Sequence, residues 1–167
     1  MKKPAALRAA LVAAIPLLAS NPDCFRMWVD SGGVVVRAGA ENRAMALRYK
    51  LNLVITDWTG EEVLIHFAVN EWLAINQPDL LSASKAEAYT FEADIIDDKT
   101  IDLSLEINLT EAVRVMPRVG GGFELTFVAE ENPMFGDMEP LTTPAAPLTE
   151  LWLGPDRLIP GPPVPLP

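Results

Sequence analysis

Cysteine and histidine are almost missing from this chain of 167 residues, which holds one of each, Cys24 and His66. A lone cysteine excludes an internal disulfide framework and any multi-cysteine zinc site. A lone histidine leaves no pair for a metal ion or a proton relay. No uninterrupted apolar run reaches the length needed to cross a bilayer. Cations are in the minority, with 13 Lys and Arg against 23 Asp and Glu, for a net charge of −10. That balance argues against sequence-general binding to duplex nucleic acid, whose affinity comes mainly from cationic contacts to phosphate.

What is present reads as one folded domain with a tail. Half of the residues are hydrophobic and 22% are charged, an ordinary globular balance. A chain of this length buries roughly 70% of its unfolded surface, enough for a real core. The N-terminus reads two ways. Lys2, Lys3 and the Ala/Leu-rich stretch to Ser20 look like a secretory signal, after whose cleavage Cys24 would be an odd thiol. Arg8 interrupts that stretch, however, and Leu7, Leu11, Ile15 and Leu18 recur at helical spacing. The spacing predicts a docked amphipathic helix, opened by Pro4 and stopped by Asn21-Pro22.

Further along, Phe25–Asp30 and Val34–Arg37 read as a hairpin around Ser31-Gly32-Gly33. Met45 to Ile55 alternates apolar and polar, the pattern of a strand with one buried face, Val54 being the exception. Thr59 and Glu62 have capping-box spacing and open a helix that stops before Pro78. Its polar stripe is so narrow that burial on two sides is expected, by the sheet and by another subunit. Tyr89–Ile95 and Ile101–Thr110 alternate as two strands joined by a turn, and Phe123–Phe127 follows the glycines at 120–122.

Composition changes after residue 131. Ten of the fifteen prolines lie between Pro133 and Pro167. The expected architecture is therefore an α+β domain over residues 1–131, a mostly antiparallel sheet packed with two main helices. An extended Pro-rich arm over residues 132–167 follows it.

Catalytic equipment is sparse. His66 lies on the polar stripe of its helix without an orienting partner and reads as a surface histidine. Cys24 reads as a small core residue. Glu92, Asp94, Asp97, Asp98, Asp102, Glu106 and Glu111 are seven carboxylates within twenty residues, opposed there only by Lys99. Paired carboxylates can cleave glycosides or hold a divalent cation. Yet Glu92, Asp94, Asp102 and Glu106 fall on the alternating polar face of regular strands, where a solvated or interface-lining face is expected anyway. Neither a calcium loop nor a phosphate loop is present. No catalytic residue, metal site or cofactor is expected.

Several strings are more specific. They are Tyr49-x-Leu51-Asn52-Leu53-Val54-x-Thr56-Asp57, Trp72-Leu73-x-x-Asn76-Gln77-Pro78-x-Leu80-Leu81 and Phe91-Glu92-Ala93-Asp94-Ile95-Ile96. Asp102-Leu103 and Leu109-Thr110-Glu111 follow them, and Lys2-Lys3-Pro4-x-x-Leu7-Arg8 and Asn21-Pro22 precede them. Over residues 2–118 the set resembles the tail completion protein family, gene product R, of Peduovirus-type contractile-tailed phages and related prophages. The resemblance implies a non-enzymatic virion protein that resembles tail terminators. It implies a ring, a hexamer, at the head-proximal end of the tail, in the neck of the virion, built in the host cytoplasm. Its partners would be other copies of itself, tail tube and sheath proteins and head–tail connector proteins. DNA would meet it only in passage, and no membrane is implied. Glu92, Asp94, Asp102 and Glu106 are then expected to line the channel, and Phe67, Trp72 and Trp152 to lie between subunits. The competing classes are an exported binding protein, an acidic inhibitor that mimics nucleic acid, and a carboxylate enzyme.

Overall fold

The computed structural model describes residues 1–36, 43–82, 84–130, 151–153 and 155–159. Helix α1 (Lys3–Ala14) and the short α2 (Pro16–Ser20) lead through a 3-10 turn into β1 (Phe25–Val36). There follow β2 (Met45–Trp58), α3 (Glu62–Asn76), a second 3-10 turn (Pro78–Leu81), β3 (Thr90–Ile95), β4 (Ile101–Pro117) and β5 (Phe123–Val128). A separate two-stranded antiparallel ladder joins β6 (Leu151–Leu153) and β7 (Asp156–Ile159), within the stretch expected to be an extended arm. The rest of that arm lies outside the described residues.

The main sheet is antiparallel, in the order β1-β2-β4-β3, with β5 also on β4. It bears out the expected α+β class. Strand β4 is the spine. One edge pairs with β2; on the other, β3 takes residues 101–106 and β5 takes residues 112–117. Strict alternation on β4 sends Leu103, Leu105, Ile107, Leu109 and Val113 into the core, where they meet Leu51, Leu53 and Ile55 of β2. Leu7, Leu11, Ile15 and Leu18 are at most 1% exposed, so the N-terminal seam packs into this core as its spacing predicts.

Four local expectations are corrected. The N-terminal helix breaks at Ile15, which is extended (φ −119°, ψ 98°), because the ring of Pro16 disfavours helical backbone in the residue before it. The segment read as a hairpin is one strand, paired with β2 throughout and bulged between Val29 and Ser31. Gly32 there allows close approach rather than a turn, since a Cβ would stand 3.1 Å from Cβ of Tyr49. The capping box does not form: Glu61 is the N-cap of α3 and no side chain caps it. Finally, apolar surface of α3 expected to face another subunit is taken up by α1 of the same chain. The glycines at 120–122 do make a turn, with φ of 93°, 101° and 86°.

Candidate assembly surface

The sheet has two unlike faces. One carries the helices. On the other, β2 and β4 show their even-numbered residues, and β3 follows their parity through the pairs Thr90–Glu106, Glu92–Ser104 and Asp94–Asp102. Glu92, Asp94, Asp102 and Glu106 therefore share the face without helices, as their parity in sequence predicts. Their local circumstances differ. Glu106 accepts from Lys50 Nζ at 2.8 Å, and this contact raises the lysine pKa, first through the hydrogen bond and then through charge. Asp102 accepts from the backbone N–H of Asp57 at 2.8 Å. Asp57 has φ of 54° at the irregularity where β2 leaves its register, so Asp102 fastens that kink. Glu92 and Asp94 are exposed and open to solvent. Asp94 stands directly across from Asp102, an unfavourable like-charge pair in a sheet.

The residues expected between subunits separate. Trp72 is 1% exposed and belongs to the core of its own chain, so it has no area left to give to a neighbour. Phe67 is half-buried on α3. The side chain of Trp152 lies outside the described residues.

Two sites depart from the sequence reading or were missed by it. His66 is no surface residue. It stacks on Tyr89 (5.8 Å between centroids), meets the edge of Phe91 at 4.8 Å, and its Nδ1 lies 3.2 Å from the Tyr89 hydroxyl. Burial lowers its pKa, and the charge of Glu62 opposes that only in part. Tyr89, just before β3, and Phe91 on it cover His66 alone, while Glu62 and Asn70 of the same stripe stay exposed; helix periodicity does not reveal this.

The second site is a polar knot where β4 residues 107–111 lie between β3 and β5. There Gln77, 3% exposed, substitutes for a strand: its Oε1 accepts from the Thr110 N–H at 3.0 Å and from Lys3 Nζ at 2.8 Å. Its Nε2 donates to Asp79. Glu111, also 3% exposed, accepts from the Tyr49 hydroxyl and from the Lys2 N–H at 2.7 Å. Burial first, then the hydrogen bond to Glu111 and its charge, push the Tyr49 pKa far up. Lys3 Nζ also pairs with Glu130 at 2.7 Å. The knot ties the start of α1 and the end of α3 to the spine strand. A signal for it existed: Glu111 has inward parity in the run Leu103, Leu105, Ile107, Leu109, Glu111, Val113.

Lys2, Lys3, Tyr49, Gln77, Thr110 and Glu111 come from four separate strings of the family resemblance and meet in this one place. Among the described residues, no cluster of three or more metal-ligating side chains occurs, and no helix is long and apolar enough to cross a membrane. An antiparallel sheet with helices on one face, and with the four carboxylates beside Arg26, Arg48, Lys50 and Arg114 on the other, defines an α+β module with one open sheet face. Comparison with known proteins makes this specific. Residues 1–131 match the family P2 phage tail completion protein R (GpR), and the chain belongs to that family. The tail completion protein R of Escherichia phage P2 is 36% identical over 146 residues, which cover 86% of this chain and 90% of that protein. No solved structure matches the chain.

Proposed function

We propose that the chain completes a contractile tail by closing a ring of six copies on its head-proximal end. The ring stops the addition of tube and sheath subunits and presents the surface that joins the head. Its role is structural rather than enzymatic, and its seat is the neck of the virion, reached by assembly in the host cytoplasm. Membership of a tail completion family supports the general role.

The observation that carries the finer reading is the helix-free sheet face with Glu92, Asp94, Asp102 and Glu106 on it. Turned inward in a ring, that face lines a channel with anionic walls, which repel DNA phosphates and let the duplex pass without sticking. Lys50 offsets Glu106, and Arg26, Arg48 and Arg114 stand elsewhere on the same face, so the repulsion is local to Glu92, Asp94 and Asp102 beside β3. Partners of the ring are the tube and sheath proteins on one side and the head–tail connector proteins on the other. Residues 132–167 serve as an arm onto a neighbouring copy or the sheath.

The test is to label virions through an epitope tag on this chain and image them by electron microscopy. Label confined to the head–tail junction is the expected result. Label along the sheath or at the distal end contradicts the reading.

A further inference from the structure

The sheet is longer than its helical cover. A strand of 17 residues, β4, spans roughly 55 Å. Helices of 12 and 15 residues, α1 and α3, span only about 18 and 22 Å. The cover reaches the first residues of β4, where Leu103 and Leu105 are buried, but stops short of its last residues and of the edge strand β3. At the end where β4 finishes, the last cover is Lys2, whose Nζ lies 5.1 Å over the Phe127 ring. Beyond it the same face continues as Val36, Val115, Leu125 and Phe123, through the pairs Val36–Met45, Val113–Phe127, Val115–Leu125 and Pro117–Phe123. Val36 is 60% exposed, Leu125 61% and Phe123 48%. Beside the first residues of β4, the edge strand β3 is likewise uncovered, with Phe91 56% exposed and Ile95 75%, and Ile96 next to them at 54%.

These two aprons have opposite charge. Arg43 places its guanidinium 4.6 Å over Phe123, and Arg118 stands in the β4–β5 turn. Asp97 and Asp98, against Lys99, form the β3–β4 turn beside Ile95 and Ile96. A monomer rarely exposes apolar patches of this kind without a partner. Two patches of matched hydrophobicity and opposite charge, beside opposite ends of one strand, are complementary in the way a heterologous, ring-closing contact requires.

We propose that the β3 apron (Phe91, Ile95, Ile96, with Asp97 and Asp98) docks on the β5 apron (Phe123, Leu125, with Arg43 and Arg118) of a second copy of this chain. The inference rests on the ring reading above and gives that ring its interface. It uses the helix-side face, so the acidic face stays free for the channel.

The experiment is a charge swap scored by plaque titre, with the full-length chain supplied to its own phage or prophage deleted for the gene. One variant carries Ile95→Lys and Asp98→Lys; a second carries Arg118→Glu and Leu125→Glu; a third carries all four. These side chains are exposed, and thermal unfolding checks that each variant still folds. Each pair alone buries unmatched charge in the contact and lowers the titre on the order of 100-fold. The four together restore complementarity, and the titre recovers at least tenfold over either pair. Two losses without recovery mean that a different protein or another segment of the chain covers the aprons, and they overturn the proposal. Wild-type titre from every variant overturns it as well, while leaving the tail-completion role standing. Equal titres with and without the wild-type gene overturn that role and this interface together.

Discussion

Replacing Glu111 by alanine tests the polar knot that holds the helices to the sheet. Glu111 is 3% exposed and accepts two hydrogen bonds, from the Tyr49 hydroxyl and the Lys2 N–H. A hydrogen bond to a charged group contributes about 1.5–3 kcal/mol net, and a buried donor left without a partner costs its desolvation. Lys2 is exposed and its N–H regains water, so its share is small. Tyr49, 5% exposed, has no such relief. The expected loss is about 3 kcal/mol, a fall of about 1–1.5 M in the urea midpoint at an ordinary denaturant slope. Removing the stranded donor as well, by Tyr49→Phe in the Glu111→Ala background, recovers about 1 kcal/mol against the sum of the single changes. Glu106→Ala provides the contrast. Its bridge to Lys50 is surface-exposed and screened by solvent, so its urea midpoint moves little. An equal shift for Glu111→Ala and Glu106→Ala refutes the reasoning, because burial is then not what gives Glu111 its weight.

Other consequences are direct. Leu11→Ala, at a fully buried position on α1, costs about 2–5 kcal/mol in urea unfolding if the N-terminal helix is core; a cost under about 0.5 kcal/mol means that it is not. His66 has a folded pKa below its ordinary 6.5, so the unfolded chain binds the proton first as pH falls. Stability is therefore fully present above about pH 6.5 and declines as pH drops through the window below it. In His66→Gln the pH slope of the urea midpoint from about pH 7 to 5.5 is shallower than in the parent; an unchanged slope removes His66 as the cause.

The strands were the legible part of the sequence because a half-buried strand writes its two faces as alternation. Ile101 to Thr110 reads correctly residue by residue, though the strand runs on to Pro117, and the same parity placed Glu92, Asp94, Asp102 and Glu106 together. Legibility failed where a second element decides the outcome. Gly32-Gly33 looks like a turn until β2 is seen to be long enough to pair with all of β1. The wide apolar surface of α3 shows that something covers it, but not that α1 of the same chain does. His66 keeps its polar helical phase while the rings of Tyr89 and Phe91 half-bury it. Which carboxylates find partners is likewise a matter of register: Glu106 lies across from Asn52, two residue pairs from Lys50 and on the same face, and Asp102 lies beside the Asp57 kink.

The measurement that tests the central claim most directly is deletion of the gene in its phage or prophage, with tail lengths and head attachment read by negative-stain electron microscopy. A ring that ends the tail predicts overlong or ragged tails together with full, unattached heads, and recovery on supplying the chain. Tails of normal length joined to heads in the deletion contradict the account.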